Sequence, residues 1–190
     1  MIETKPSDSM RDLGIVQSNA RSLYERCTAL DLPAELPLAE AIVSQLITAM
    51  RRVRRVHDFA KGSGIAAPQI GIHRRAAIVQ PPDENAPTIV MLNPQITSWS
   101  DAEDEQYEGC LSFFDVRGQV PRPLSITVET NTPAGESTVA EYHNGLARLI
   151  HHEIDHLDGI LYTARMRAGI EPIPVEQYRQ TGHTWNYDHQ

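Results

Sequence analysis

The stretch His152-Glu153-Ile154-Asp155-His156 carries the clearest chemistry in the chain. Two histidines four positions apart lie one turn apart on a helix, so both imidazoles can grip one metal ion. Glu153 then stands beside the metal, placed to take a proton from bound water, and the pattern points to metal-assisted hydrolysis. The bland alternative is a surface helix that happens to carry ionisable residues. Against it, Leu146, Leu149, Ile150, Ile154 and Leu157 give this helix an apolar side to bury. The third ligand decides the class of hydrolase. A longer protease pattern needs histidine where this chain has Tyr162. A glutamate-type zinc metalloprotease would use Glu176, but Pro172 and Pro174 break the helix that should present it. Upstream lies Cys110, in Glu108-Gly109-Cys110-Leu111-Ser112. A lone cysteine is more often a small buried hydrophobe. Here Gly109 permits close approach of another chain, and a thiolate on a strand beneath the helix would complete a Cys-His-His site with one position open for water.

A second segment, Gly62-Ser63-Gly64-Ile65-Ala66-Ala67-Pro68-Gln69, formally fits a dinucleotide-binding glycine pattern. That reading needs a strand before and a helix after, whereas an arginine-rich helix precedes it and Pro68 stands where the second helix should run. The alternatives are a structural turn with an outward Gln69, or a loop where a substrate backbone lies close and the Gln69 amide holds a developing oxyanion.

These residues need elements to position them. From Leu36 to about Phe59, apolar residues recur every three or four positions, which predicts an amphipathic N-terminal helix ending in Arg51, Arg52, Arg54 and Arg55. Cations are favoured near a helix C-terminus, though the cluster also offers a face to an acidic surface. Short β-like runs come next at 76–79, 88–92, 107–113, 125–129 and 138–142, punctuated by Pro81-Pro82, Asn93-Pro94, Pro121/Pro123 and Pro133-Ala134-Gly135. A second helix is expected from about Gly145 to Leu157, with Asn144 as N-cap and Gly159 as stop. The order helix, strands, helix predicts an α+β fold, with antiparallel or mixed sheets packed around a central C-terminal helix that carries the histidine pair.

Taken together, GSGIAAPQIG, EGCLS and HHEIDHLDG resemble the three ordered motifs of the peptide deformylase family, over about residues 36–166. The resemblance implies Cys110, His152 and His156 as metal ligands and Glu153 as general base and acid. It implies Gln69 and the Leu111 backbone N–H as the pair that polarises the formyl carbonyl. Ser63, Gly64 and Gly109 then flank a bound peptide that pairs like an added strand. The implied cofactor is one divalent ion per chain, Fe²⁺ first, with Zn²⁺, Ni²⁺ or Co²⁺ as alternatives. The implied substrates are N-formylmethionyl chains leaving the ribosome; a specialised formylated metabolite or peptide is the sibling reading. The chain departs from the family pattern at Ile65, at His151 where glutamine is usual, and at Phe113-Phe114-Asp115-Val116-Arg117 after EGCLS. Arg117 is placed with the substrate-binding residues, although for Arg117 and Arg122 bracing of the loop through carboxylates is the favoured alternative.

Composition bounds the rest. The chain has 190 residues and a formal charge of −8, which suits one catalytic domain and argues against non-specific RNA binding or direct DNA binding. No apolar stretch or leader signals a membrane, and two cysteines rule out a disulfide scaffold. A cytoplasmic, reducing environment is expected. Cys27 stands away from the motifs and should be dispensable. Residues 1–34 read as a lead segment and 167–190 as a surface tail; the oligomeric state is left open.

Overall fold

The computed structural model describes residues 5–83 and 85–181; Trp185 and Tyr187 of the expected tail lie outside the described residues. Among the described residues four α-helices and nine strands give an α+β architecture: α1 (Pro6–Asp12), α2 (Leu36–Val56), β1 (Ser63–Ala66), β2 (Ala76–Gln80), β3 (Ile89–Leu92), β4 (Gln95–Trp99), β5 (Glu103–Cys110), β6 (Phe113–Pro123), β7 (Ser125–Asn131), β8 (Ser137–His143), α3 (Asn144–Leu157), β9 (Ile173–Pro174) and α4 (Val175–Arg179). The strands form three antiparallel sheets in the orders β1-β2-β3, β4-β7-β8 and β5-β6-β9.

Helix α2 forms because its apolar residues fall on one side: Ala39, Ile42, Leu46, Ala49, Met50 and Val53 are buried, at helical spacing. They join Ile65, Ala76 and Ile78 in one core. Fully burying side chains such as Ile42, Leu46 or Met50 is worth about 1.5–3 kcal/mol each. Helix α3 packs against strands of all three sheets. Its apolar side, Leu149, Ile150, Ile154 and Leu157, joins Val79, Met91, Ile126 and Val128 in a second core. The histidine-bearing side faces the end of β5.

Several boundaries differ from the sequence expectation for identifiable reasons. The glycine segment is a strand and not a loop over Ser63–Ala66, because Ile65 and Ala66 are fully buried and pair with β2. The expected run 107–113 is two strands, since β5 ends at Cys110 and the chain turns back as β6 from Phe113. Pro121 and Pro123 are strand residues and not breaks, lying opposite Glu105 and Glu103 in β6. Their missing N–H groups are tolerated because β9 pairs with β6 only at Val116 and Arg117, leaving that edge open around the prolines. The strand Gln95–Trp99 carries almost no apolar alternation and was not expected from sequence. Asn144 is the first residue of α3, at φ 51°, and the N-cap position belongs to His143. The helix α2 ends at Val56, short of Phe59.

Both terminal segments are woven into the site. The lead segment donates backbone bonds from Val16 to the Gln69 carbonyl, from Ser18 to the Ser112 carbonyl and from Cys27 to the Leu157 carbonyl, each 2.8 Å. Ser7 fixes α1 to β6 through two bonds to the Asp115 carboxylate, 2.8 and 2.7 Å. Within the surface tail expected at 167–190, the described residues form β9 and α4 and are mostly exposed, with Val175 buried.

Candidate metal centre

Three elements meet at one place. The β5–β6 hairpin brings Cys110, and α3 brings His152 and His156; one ligand atom from each lies within 4.8 Å of the others. All three residues are buried, and Cys110 Sγ lies 3.2 Å from His156 Nε2. The register shifts between Glu108 and Cys110, where residues 114–117 of β6 stand opposite Gly109 alone, and such irregularities re-aim side chains beside active sites. Thiolate and imidazole donors at this spacing suit a divalent transition metal with an open fourth position.

The surroundings fix these donors. Glu108 accepts from His152 Nδ1 at 3.0 Å, so the other ring nitrogen is left for a metal. Arg122 clamps Glu108 with two bonds of 2.9 Å and donates to Asp155 at 2.5 Å. Arg148, one helical turn before His152, adds a bond of 2.7 Å to Glu108 and one of 2.6 Å to Asp104. Burial by itself would raise the Glu108 carboxyl, but Arg122 and His152 overcome it and hold the carboxyl well below its ordinary range. Burial likewise opposes ionisation of Cys110, yet His156 and His152 pull its thiol well below the usual value. His152 is raised well above the ordinary imidazole value against its own burial, by Cys110 and Glu108. The site therefore already favours the thiolate that a metal requires.

Glu153 lies beside the cluster. Burial pushes its carboxyl up to about 7, against the pull of His152 and His156. Its Oε2 is buried with no protein partner, as is His156 Nδ1. Gly64 packs so closely against Glu153 that a Cβ there would overlap the carboxylate. Gln69 is held by its own backbone, accepting from the Ala66 N–H at 2.9 Å, and turns its amide nitrogen toward Cys110 Sγ (3.5 Å) and Ser112 Oγ (3.2 Å). A cavity of about 260 Å³ opens over these groups and takes in Ser63, Gly64, Gln69, Gly109, Leu111 and Arg117 together with Cys110, His152 and Glu153.

The structure thus gathers the site residues expected from sequence, with one exclusion. Glu176 is exposed on α4 and stands outside the only metal-ligating cluster among the described residues, although Tyr178 of the same helix lines the cavity. Cys27 is buried in the second core, where burial pushes its thiol up to about 11. His151 is half-buried beside Asp155, and burial lowers it to about 4. Sequence reading gave no role to Glu108, Arg148, Asp155, Lys61 or Tyr178. Two signals were present: Glu108 shares a strand face with Cys110, two residues away, and Arg148 shares a helix face with His152, four residues away.

Comparison with known proteins agrees with this geometry. The polypeptide deformylase family profile matches residues 13–169. A peptide deformylase of Roseiflexus castenholzii is 38% identical over 159 residues, covering 76% of this chain and 81% of its own. Among solved structures, class I type b peptide deformylase from Acinetobacter baumannii superposes with a TM-score of 0.70 at 32% identity, covering 80% of this chain and 97% of its own. The same enzyme bound to Met-Ala-Ser gives a TM-score of 0.67 at 31% identity, covering 80% and 97%. This chain, with a cysteine and two histidines gathered in one buried cluster, belongs to the peptide deformylase family of enzymes.

Proposed function

We propose that the protein hydrolyses the formyl group from N-formylmethionyl peptides, with Cys110, His152 and His156 as ligands of one divalent ion and Glu153 as the proton-transfer group. The observation that carries this reading is the buried Glu153 carboxylate beside a Cys-His-His donor set under an open cavity. A bound ion, Fe²⁺ or alternatively Zn²⁺, Ni²⁺ or Co²⁺, supplies Lewis acidity toward water and the formyl oxygen. Glu153 takes a proton from the attacking water and returns it to the amine nitrogen as the C–N bond breaks, giving formate and a free N-terminus. The Gln69 amide and the Leu111 N–H donate to the formyl oxygen as it becomes negative. The peptide lies along β1, which is an edge strand, with Ser63 and Gly64 on one side and Gly109 on the other. A relative holding Met-Ala-Ser supports a peptide in this place. A formyl carbon bears hydrogen where a peptide carbonyl carbon bears a chain, so the crowded gap between Gly64 and Glu153 disfavours ordinary peptide bonds.

Among the described residues no helix is long and apolar enough to cross a membrane. The thiolate ligand suits a reducing compartment, consistent with cytoplasmic action on chains leaving the ribosome. The test is anaerobic purification with metal analysis and a formate-release assay on formyl-Met peptides. Formate release with one divalent ion per chain is expected; no release by the metal-loaded protein would overturn the reading. Cys110→Ala should lose the metal. Because thiolate and ferrous iron both oxidise, the Fe²⁺ form should lose activity in air faster than the Ni²⁺ form. Equal half-lives would count against an iron-thiolate site.

A further inference from the structure

Four arginines of this chain are buried to nine-tenths or more: Arg75, Arg117, Arg122 and Arg148. Three of them are neutralised. Arg75 pairs with Asp158, Arg122 with Glu108 and Asp155, and Arg148 with Glu108 and Asp104. Arg117 stands apart, with no carboxylate among the described residues within ion-pair distance. Its Nη1 donates to the Phe114 and Val116 carbonyls, both at 2.8 Å, and the guanidinium lies over the Phe114 ring, 4.8 Å from its centroid. Nε and Nη2 donate to no protein acceptor among the described residues, while the group lines the cavity over the metal centre. A buried charge without a counter-charge is costly, so a site that keeps one is built for an incoming anion.

A second cation reinforces it. Lys61 lines the same cavity and donates to the Tyr178 hydroxyl at 2.5 Å, which holds its ammonium in place. Burial, with Arg148 and Arg117 adding repulsion, brings Lys61 down to about 8, so an anion entering the cavity would relieve both cations. The carboxylates facing the cavity are Glu153, engaged in proton transfer, and Asp58, which is exposed. A Cβ on Gly109 would stand 2.5 Å from Arg117 Nε, which places the guanidinium directly against the residue before Cys110. An anion there belongs to the part of the substrate nearest the formyl group.

Resting on the deformylase reading, we infer that Arg117 and Lys61 select substrates bearing a carboxylate within the first two residues after the formyl group. That carboxylate is either an acidic side chain or the free C-terminus of a very short substrate. Arg117 offers it a planar fork and Lys61 a point charge.

The test compares kcat/KM on matched pairs with the metal-loaded full chain. Formyl-Met-Asp-amide against formyl-Met-Asn-amide reads the side chain, and formyl-Met against formyl-Met-amide reads the terminal carboxylate. At least one charged member should be preferred by about 10-fold or more, the size of one charge-assisted hydrogen bond. Within Arg117→Gln the same ratio should fall to about 2-fold or less through KM, and Arg117→Lys should restore part of it. A role limited to packing would slow both members of a pair alike and leave the ratio intact, which overturns the inference. Should Arg117→Gln fail to fold, Lys61→Gln must lower the ratio on its own; an unchanged ratio there also overturns it. Ratios near one in the unsubstituted protein, with all four compounds hydrolysed, refute this inference and leave the deformylase reading standing. No formate from any of the four refutes both.

Discussion

The floor and the wall of the cavity use arginine in opposite ways. On the floor, Arg122 and Arg148 saturate Glu108, which in turn orients His152, so every charge beneath the metal donors has a protein partner. On the wall, Arg117 is also buried, with two backbone carbonyls and the Phe114 ring as its neighbours. The floor is complete before any substrate arrives, which keeps ligand geometry fixed through turnover. The wall is incomplete, and the substrate has to finish it. Rigid donors and an unsatisfied rim are both forms of preorganisation, one toward the metal and one toward the ligand.

The largest effect should come where the two regions meet. Glu153→Ala is expected to cut turnover roughly 100- to 10,000-fold while metal content, measured by elemental analysis, stays unchanged. Turnover surviving that change would remove Glu153 from the chemistry. Next, the two arginines should respond differently to the same substitution. Arg122→Met leaves the buried Glu108 with Arg148 and His152 alone and the buried Asp155 with Arg165 and His151, and should cost about 3–5 kcal/mol in denaturant unfolding, with about 10- to 100-fold weaker metal binding. Arg117→Met strands no carboxylate and should change stability by about 1 kcal/mol or less. Similar losses for the two would erase the distinction between floor and wall.

A smaller effect is expected from pH. Lys61 is charged below about 8 and neutral above it, through burial first and the repulsion of Arg148 and Arg117 second. Its other close partner, Tyr178, is itself raised by burial and stays neutral, while the arginines keep their charge. Preference for an acidic over an amide substrate should therefore shrink by a few-fold as pH rises from about 7 to about 9. Lys61→Gln should flatten that trend; a slope unchanged by the substitution would take Lys61 out of the selection. The smallest effect is expected on the exposed end of α2, where Arg51→Ser should shift stability by no more than about 0.5 kcal/mol and leave formate release unaltered.

Legibility in the sequence tracks the range of each interaction. Helix α2 and the histidine helix were legible because a 3.6-residue period is a local property, and His152, Glu153 and His156 sit within one turn of each other. Cys110 lies 42 positions before His152 and was legible only because its motif is distinctive and ordered with the others. The prolines of β6 misled, since a proline says that an N–H is missing and not whether the strand edge at that point needs one. The final segment was legible only as a surface tail, because its pairing partner on β6 is more than fifty residues away in the chain. Arg117 and Arg122 looked alike in sequence, five residues apart after the same motif. One found two carboxylates and the other found none, which depends on how α3 and β5 pack against β6.

By itself, the sequence offered the candidate ligands, the candidate proton-transfer group and the family whose chemistry they would serve. A thiolate, two imidazoles one helical turn apart and an adjacent carboxylate define a hydrolytic metal site wherever they are brought together. Only the tertiary structure decided which charges are spent inside the protein and which face the cavity. A residue's type fixes the charge it can carry, but burial and the arrival of a partner from a distant strand or helix fix whether that charge is satisfied.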